Sequence, residues 1–254
     1  MKTDNSRPLV SVVMPVYNAA RFLAQAIESV LGQTYRELEL IMVDDCSSDD
    51  SMQIMRSYER QDTRIRIITN AVNCGAAGSR NEGIRAATGR YIALLDSDDY
   101  WAIDKLEKQV RLLQETGAEI AYGSVELVDA RGRKLKPFMV PASTDYKEML
   151  VRCYFICSAV VIDAELLKKH LFRTDYYHED VLLWMELLAL PVKAAGEPSV
   201  LAYYRLIPGS RSNNKLFAAK HRWKIYRGAL GMSFVKAVCT FARYAFWGII
   251  KYYM

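Results

Sequence analysis

The sequence predicts an α/β protein with a mostly parallel, doubly wound central sheet and helices on both of its faces. Two observations support this fold class. Short apolar segments alternate with helix-like segments over the first 115 residues, and polar clusters directly follow three of the apolar segments. The length of 254 residues and the apolar content of 51% suffice for one large core. They exclude a disordered chain and a small disulfide-stapled domain.

Four strands and four helices are expected in alternation along the first part of the chain. The first strand is a β-branched run that stops at Pro15, and the first helix carries its apolar residues on one side. The third helix stops at Gly89. The predicted strands are Val10–Met14, Leu38–Val43, Ile65–Thr69 and Tyr91–Leu95. The predicted helices are Ala19–Leu31, a segment capped by Ser48 or Asp49 that runs to about Arg60, Ala76–Ala87 and Lys105–Glu115.

The alternation loosens after Ala118. Further strands are expected at Ile120–Val128, before a turn at 129–132, and at Ser158–Ile162 and Val200–Tyr204, with a helix at Val181–Ala189. From Phe217 onward the pattern predicts one or two amphipathic helices. We therefore divide the chain into a body, residues 1–215, and a helical tail, residues 216–254.

Charge is distributed unevenly along the chain. Up to Glu197 the chain carries 24 Lys and Arg against 29 Asp and Glu, a net charge of −5. After Glu197 come ten basic residues and no acidic residue. Such an asymmetry indicates an anionic partner for the tail, either a nucleic acid or a membrane surface.

The cysteines and the N-terminus indicate a reducing compartment. The five cysteines are odd in number and scattered, which predicts buried free thiols rather than metal ligands or disulfides. The segment Met1–Pro8 is polar and does not resemble a signal peptide, and no apolar run reaches the roughly 18 residues that span a bilayer. We therefore expect a cytoplasmic protein.

Carboxylates follow the second and fourth predicted strands. Asp96, Asp98 and Asp99 lie within four residues, and crowded carboxylates favour a hard divalent cation shared with a phosphorylated ligand. A solvated turn that caps the helix near Trp101 is the alternative. Asp44 and Asp45 have two interpretations as well: a polar turn before a helix, or a carboxylate that binds a nucleotide base or ribose.

A third acidic cluster, His178-Glu179-Asp180, precedes a predicted helix. Acidic residues at a helix start usually stabilise the helix by interacting with its dipole. One of these carboxylates is also a candidate general base. The chain contains neither Gly-x-Gly-x-x-Gly after its first strand nor a phosphate-binding Gly-Lys-Ser/Thr loop. This absence argues against a dinucleotide oxidoreductase and a P-loop NTPase.

Taken in order, these motifs resemble the family 2 glycosyltransferases with the glycosyltransferase-A fold. The strong resemblance covers about residues 9–115, with weaker matching to about residue 212. The matching segments are Val13–Asn18, Ser29–Tyr35, Val43–Ser51, Asn73–Asn81, Leu94–Trp101 and Glu179-Asp180. The resemblance implies a Rossmann-like sheet and the inverting transfer of a sugar from a nucleotide-sugar, most often a UDP-sugar, to a hydroxyl of a glycan acceptor.

The resemblance also implies roles for individual residues. Pro15, Tyr17 and either Asp45 or Asp44 would line the nucleoside pocket, and Arg80 would help to bind the donor. Asp96, Asp98 and Asp99 would hold Mn²⁺ or Mg²⁺ on the donor diphosphate. Asp180, or less favourably Glu179, would be the catalytic base. The family often has a His where this chain has Ile207, so Arg205 or Arg211 is expected to contact the diphosphate instead.

The basic tail has the profile of a helix that lies in a membrane interface. In residues 232–254 the polar and basic side chains fall on one narrow stripe, and the remaining surface is apolar and aromatic. A helix docked on the body, or in an oligomer interface, is the alternative. No nucleic-acid-binding motif is present, so nucleic acid is not expected as a partner. A membrane-bound tail predicts peripheral attachment to the inner face of the cytoplasmic membrane and a lipid-linked or oligosaccharide acceptor in surface-polysaccharide synthesis.

Two other functions fit the same pattern. A non-catalytic nucleotide-sugar-binding scaffold would share the fold, but the acidic residues at all three positions argue against it. A metal-dependent nucleotidyltransferase also joins a metal to a nucleotide at strand ends, and it would release inorganic diphosphate.

Overall fold

The computed structural model describes residues 7–207 and 215–253. In the first half the strands are β1 (Val10–Val16), β2 (Leu38–Asp44), β3 (Ile65–Thr69), β4 (Tyr91–Leu94) and β5 (Tyr100–Trp101), and the helices are α1 (Ala20–Leu31), α2 (Ser51–Glu59), α3 (Gly75–Ala86) and α4 (Lys105–Thr116). The predicted alternation of strands and helices is confirmed here. β1 continues through Pro15 because its pairing with β4 ends at Val13, so the missing N–H interrupts no hydrogen bond on that side.

The second half differs more from expectation. Its strands are β6 (Ile120–Asp129), β7 (Lys134–Phe138), β8 (Val160–Asp163) and β9 (Ala194–Leu206), and its helices are α5 (Tyr146–Met149), α6 (Ala164–Lys169), α7 (Glu179–Leu188), α8 (Lys215–Lys224) and α9 (Phe234–Tyr253). A π-helical turn, Ile225–Ala229, continues α8. The expected strand at Ser158 begins instead with a 3₁₀ turn, Cys157–Ala159. β9 is much longer than predicted because it pairs with β6 along most of its length.

All nine strands described form one sheet in the order β3-β2-β1-β4-β8-β6-β9-β5, with β7 paired to β6. β3, β2, β1 and β4 are parallel neighbours, whereas β8 is antiparallel to both β4 and β6. The parallel half therefore presents the carboxyl ends of its strands at a common edge, which is where ligands bind in such sheets. The mostly parallel sheet predicted from the sequence is confirmed.

Helices cover both faces of the sheet. On one face, α1, α2 and α4 pack through residues such as Leu23, Met55 and Leu106. On the other face, α3, α6 and α7 pack together with the C-terminal helices. The predicted tail contributes four buried side chains to this second core, namely Ile225, Tyr226, Met232 and Ala237, each no more than 4% exposed. The proposed boundary at residue 215 thus divides two segments that share a hydrophobic core.

The cysteines are free, as predicted, but most of them are not buried. Cys157 is buried and Cys153 is partly buried, whereas Cys46, Cys74 and Cys239 are exposed. The prediction of burial was wrong for these three because two lie in loops at the sheet edge and the third lies on the outer face of α9. Within the described segments, no helix combines the length and the apolar character that crossing a bilayer requires.

Candidate active site

A cleft of about 690 Å³ opens at the carboxyl edge of the parallel strands. It brings together the polar clusters that follow β1, β2 and β4, the start of α3, the acidic pair that begins α7 and the end of β9. Its lining comprises Pro15–Phe22 without Ala20, Asp45, Asn73, Gly75, Ala76, Ser79, Arg80, Asp96–Asp98, Tyr177–Asp180, Tyr204 and Ile207. Clusters separated by up to about 160 residues in the sequence therefore face one cavity, as the topology of a parallel sheet requires.

The loops after β1 and β2 hold each other in place. Asn18 has left-handed backbone geometry, with φ of 47°, and its side-chain oxygen accepts a hydrogen bond from the Ser48 amide at 2.8 Å. The Asp49 carboxylate accepts from the amides of Ala20, at the start of α1, and of Ser51, at the start of α2. Asp49 therefore connects two helices, whereas the sequence predicted that it or Ser48 would cap only the second. These bonds fix the loop that carries Tyr17, which is 55% exposed at the mouth of the cleft.

Of the two carboxylates after β2, Asp45 faces the cleft and Asp44 does not. Asp45 accepts hydrogen bonds from the amides of Cys74 and Gly75 and from the side chain of Asn70, at 2.8–2.9 Å. Burial opposes ionisation of Asp45, but these hydrogen bonds outweigh it and hold the pKa of its carboxyl below the ordinary value. Asp44 is buried behind it and accepts a bond from the Ser47 amide.

Arg80 lies at the centre of the cleft and joins two acidic clusters. Its Nη2 contacts Asp96 Oδ1 at 2.6 Å and its Nη1 contacts Glu179 Oε1 at 3.2 Å. The guanidinium also lies 5.3 Å from the ring centroid of Phe172, and its side chain is only 7% exposed. A buried cation with two carboxylate partners is held rigidly. The strand-end carboxylate and the acidic pair of α7 are therefore separated by one guanidinium group.

The three carboxylates after β4 have different surroundings. Asp96 and Asp98 line the cleft, whereas Asp99 is buried and accepts hydrogen bonds from the Ser158 hydroxyl and the Arg205 amide. Burial, together with the charge of Asp96, raises the pKa of Asp98 to about 6. No group of three or more potential ligand side chains is preassembled for a metal in the described residues. Of these three carboxylates, Asp96 and Asp98 are thus the two that face the cleft.

Arg205, one of the two cationic residues expected near the diphosphate, does not line the cleft. Arg205 is buried outside the cleft lining, where its Nε donates to the Asp98 carbonyl at 2.8 Å and its Nη2 donates to Gln25. It lies 4.4 Å from the ring centroid of Phe22. Arg205 therefore supports the backbone of the Asp98 loop. Arg211 lies outside the described residues, and Ile207 lines the cleft.

The acidic pair of α7 lines the cleft beside Arg80. Asp180 uses one carboxylate oxygen to accept from the Val181 amide at 2.8 Å, whereas Glu179 is bound to Arg80. Burial raises the pKa of Asp180, and burial with the charge of Asp180 raises the pKa of Glu179. Glu179 is ion-paired with Arg80, whereas Asp180 forms no ion pair within the described residues, so Asp180 is the carboxylate better able to accept a proton, and it lies in an environment that makes it a stronger base than an exposed aspartate.

Several cleft residues were not identified from the sequence as site residues. They include Arg21 and Phe22 of α1, Asn73 before α3, and Tyr177 and His178 before α7. Asn73 and His178 belong to segments that were identified, Asn73–Asn81 and His178-Glu179-Asp180, but no role was assigned to either residue. Arg21 and Phe22 carried no signal, because they lie in the first helical turn of an ordinary amphipathic pattern.

Comparison with known proteins identifies the family. The model described as "Glycosyl transferase family 2" matches residues 11–169, more than half of the chain. The chain belongs to glycosyltransferase family 2. A putative teichuronic acid biosynthesis glycosyltransferase of Bacillus subtilis, TuaG, is 38% identical over 95% of this chain and 96% of its own length. The Escherichia coli UDP-Glc:alpha-D-GlcNAc-diphosphoundecaprenol beta-1,3-glucosyltransferase WfgD is 37% identical over 85% of each protein.

A solved structure supports the fold of this family 2 glycosyltransferase. Staphylococcus aureus TarS, in complex with UDP-GlcNAc, superimposes with a TM-score of 0.73 at 19% identity, covering 93% of this chain and 71% of the TarS chain. The expected glycosyltransferase-A fold is thus confirmed. The resemblance deduced from the motif order is also confirmed, and the chain is a glycosyltransferase of the kind that builds bacterial surface polysaccharides.

Proposed function

We propose that this glycosyltransferase transfers a sugar, with inversion, from a UDP-sugar to a hydroxyl of a lipid-diphosphate-linked glycan. The observation that carries the proposal is the bridge formed by Arg80, which holds Asp96 and Glu179 on either side of one guanidinium. A donor diphosphate near Asp96 and an acceptor hydroxyl near the acidic pair of α7 would then meet within one cleft. The name of WfgD supports both the UDP-sugar donor and the diphosphoundecaprenol-linked acceptor, and its beta linkage is consistent with inversion.

The proposed reaction combines attack on the anomeric carbon of the donor with removal of a proton from the acceptor hydroxyl. The acceptor oxygen attacks the anomeric carbon as the bond from that carbon to the donor phosphate breaks, and UDP leaves with the bonding electrons. Asp180 takes the proton from the acceptor hydroxyl, because its second oxygen is not engaged by the Val181 amide. Attack on the face opposite the leaving group inverts the configuration of the sugar.

The nucleoside is assigned to the end of the cleft formed by Pro15, Tyr17 and Asp45. Each oxygen of the Asp45 carboxylate accepts hydrogen bonds from the protein, which fixes its orientation, and a carboxylate has about four lone-pair sites. Oδ1 accepts from Asn70 and Cys74, but Oδ2 accepts only the Gly75 amide among the described residues, so Oδ2 retains a lone pair that can accept an N–H group from a base. Its lowered pKa keeps it ionised for that role at neutral pH.

A divalent cation, Mn²⁺ or Mg²⁺, fits the carboxylates that follow β4. Asp96 and Asp98 supply hard oxygen ligands, and two protein carboxylates leave coordination positions for the oxygens of a diphosphate. The raised pKa of Asp98 indicates a cluster of negative charge that a cation would offset. When bound, the cation would stabilise the charge that develops on the leaving diphosphate. Asp99 is already engaged by Ser158 and Arg205, so we assign it to the support of this loop.

An assay of released products tests the proposed function. Purified protein is incubated with a panel of UDP-sugars and a lipid-diphosphate-linked sugar, with Mn²⁺ or with EDTA, and both UDP and inorganic diphosphate are measured. We expect acceptor-dependent UDP release that EDTA removes. Release of inorganic diphosphate would instead indicate a nucleotidyltransferase. Binding of UDP-sugars without any turnover would indicate a scaffold.

We also propose that α9 attaches the enzyme to a membrane surface. One face of this helix packs on the body through Ala237 and Thr240, which are at most 9% exposed, so Thr240 does not belong to an exposed polar stripe as the sequence suggested. The opposite face exposes four large apolar side chains: Phe234 (64%), Val235 (71%), Val238 (43%) and Phe246 (59%). Exposed apolar side chains on one helix face are suited to insertion at the lipid headgroup level.

Basic side chains surround this apolar face. Lys220, Lys224, Arg227, Lys236 and Arg243 are exposed on α8, the π-helical turn and α9. By contrast, Arg222 is buried, with Nη1 4.0 Å from Met185 Sδ and its guanidinium 4.8 Å from the ring centroid of Tyr244. Among the described side chains, the five exposed basic residues are the ones available to an anionic lipid surface, and each contributes up to about 1 kcal/mol near that surface.

Substituting Val235 with Asp is expected to weaken binding to lipid vesicles about tenfold or more, because it places a negative charge on the apolar face. Co-sedimentation of the full chain with vesicles of phosphatidylglycerol and phosphatidylethanolamine measures the effect. Val72→Asp is a matched control, since Val72 is also 71% exposed but lies in the loop after β3. Equal binding by both variants and the unmodified chain would contradict membrane attachment through α9.

A further inference from the structure

His178 has two unusual features at the end of the cleft that holds Asp180. Its backbone is left-handed, with φ of 61° and ψ of 47°, although a side chain with a Cβ disfavours this region. Its Nε2 is buried and has no hydrogen-bond partner in the described part of the chain. A strained backbone and an unpaired buried polar atom each cost free energy, and together they mark a residue that binds something. Other atoms of His178 line the cleft, so a turn of its ring toward the cleft would let a ligand there supply the partner that Nε2 lacks.

The side chains beside His178 come from two parts of the chain. Tyr177 lies next to it in the loop, with ring centroids 4.9 Å apart at an interplanar angle of 84°. Phe217 and His221 come from α8, and their ring centroids lie 4.6 Å and 4.8 Å from that of Tyr177. The centroid of His221 is 6.3 Å from that of His178. We call these four residues, Tyr177, His178, Phe217 and His221, the aromatic wall. They place α8 directly beside the loop that precedes Asp180.

The same loop is held to α8 at a second point. Lys224 Nζ lies 4.9 Å from the ring centroid of Tyr176 and donates to the Asp175 carbonyl at 3.5 Å. Gly228 lies so close to Tyr176 that an added Cβ would be 2.8 Å from the Tyr176 hydroxyl. The segment from Asp175 to His178 is therefore positioned by the C-terminal helices.

The chemistry of this end of the cleft suits an uncharged polyhydroxyl ligand. Burial, with the positive charge of Arg222, lowers the pKa of His178, so its imidazole is neutral at pH 7. A neutral imidazole has one nitrogen that donates and one that accepts, which matches a sugar hydroxyl. Aromatic faces pack against the apolar C–H surfaces of a pyranose. The nucleoside is assigned to the other end, at Tyr17 and Asp45, so this end remains for the acceptor.

We propose that the aromatic wall is the subsite for the acceptor pyranose, and that His178 is its hydrogen-bonding residue. This assignment rests on the proposed function, because it takes the ligand at this end of the cleft to be the sugar that receives the transferred group. His178 contacts a non-reacting hydroxyl of the acceptor and orients the reacting one toward Asp180. Phe217 and His221 do not line the cleft but pack against Tyr177, so they support the subsite from α8.

Two substitutions of His178 separate its side chain from its backbone. Gly adopts the left-handed conformation without strain, so His178→Gly keeps the loop geometry and removes the hydrogen-bonding group. Asn tolerates the same conformation and retains a donor and an acceptor, so His178→Asn restores the hydrogen bond. His170→Ala is the control, because His170 follows α6 and does not line the cleft.

Steady-state kinetics with the full chain test the subsite. The acceptors are α-linked sugar diphosphates with a short alkyl chain, carrying GlcNAc, GalNAc, Glc or Gal, and the acceptor that the wild type uses best is taken forward. We expect His178→Gly to raise the acceptor KM about tenfold while the UDP-sugar KM changes less than twofold. His178→Asn should return the acceptor KM to within about threefold of wild type, and His170→Ala should match wild type.

An unchanged acceptor KM in His178→Gly would overturn the subsite. Equal increases in the donor and acceptor KM of both His178 variants would also overturn it, because they would indicate a general loss of loop structure. These results differ from a failure of the proposed function, in which the wild type itself would release no UDP with any donor and acceptor.

Discussion

Replacing Asp180 with Asn is expected to lower kcat by about 10²–10⁴-fold while the Kd for UDP changes little. The amide has the shape of the carboxylate but cannot accept the proton of the acceptor hydroxyl. Its oxygen can still accept from the Val181 amide, so the start of α7 is preserved. UDP release under saturating substrates and calorimetric titration of UDP measure the two quantities. Asp104→Asn is the matched control, since Asp104 forms only a surface ion pair with Lys108.

Glu179 provides an internal comparison for the choice of base. Its carboxylate neutralises Arg80, so Glu179→Gln is expected to weaken the positioning of Arg80 and to lower kcat less than Asp180→Asn does. If Glu179→Gln proved the more damaging substitution, or if Asp180→Asn retained normal activity, the assignment of the base to Asp180 would be wrong.

The pH dependence of kcat follows from the same assignment. The base acts in its ionised form, so kcat should fall as the pH decreases through the pKa of Asp180. Because burial raises that pKa, the fall should lie at a higher pH than the ordinary aspartate value of about 3.9. Saturating donor and metal separate this effect from protonation of Asp98, whose pKa is about 6 in the free protein and whose role is in donor binding. The residual kcat of Asp180→Asn should not show this fall as the pH decreases.

The second large effect is expected from Asp98→Asn, which should remove the dependence of UDP binding on Mn²⁺. Of the two carboxylates assigned to the metal, Asp98 is the one that Arg80 does not bind, so loss of its charge removes a ligand without breaking an ion pair. Loss of an outer-shell partner already costs a metal site roughly 10–100-fold in affinity, and loss of a ligand should cost at least as much. Calorimetric titration of UDP with Mn²⁺ and with EDTA measures the change.

Asp99→Ala distinguishes the metal site from its support. It leaves the Ser158 hydroxyl and the Arg205 amide without their buried partner, so it should lower the melting temperature, whereas Asp98→Asn should not. If Asp98→Asn kept full Mn²⁺-dependent binding while Asp99→Ala lost it at an unchanged melting temperature, the ligands assigned here would be wrong.

The parallel half of the fold was predictable because its signals are local. β1, β2 and β4 are largely apolar runs bounded by Pro, Asp or Gly residues, and α1 carries its buried residues Leu23, Ala26, Ile27 and Val30 at helical spacing. The second half was less predictable because its pairings are non-local. β9 extends far beyond its apolar centre since β6 pairs with it, and β5 has only two residues, which hydrogen-bond to β9 about 100 residues away.

The site was predicted only in part, because some of its signals are local and others depend on distant contacts. The acidic clusters were visible because each follows a strand or precedes a helix. The different roles of residues within one cluster were not visible. Asp98 and Asp99 are adjacent in sequence, yet Asp98 faces the cleft and Asp99 is buried. Arg205 and Arg222 were counted with the basic tail, but both are buried against aromatic rings. Charge can be counted from a sequence, whereas its exposure depends on packing.

The order of short motifs by itself determined the family, the fold and the class of reaction of this protein. Those motifs are encoded by neighbouring residues, and their chemistry does not depend on distant contacts. Only the tertiary structure decided that Arg80 separates the two acidic clusters, that Asp99 supports the loop from behind, and that α8 forms a wall beside His178. Each of these depends on contacts between residues 16 to about 106 positions apart, which the packing of helices and strands creates and local sequence does not specify.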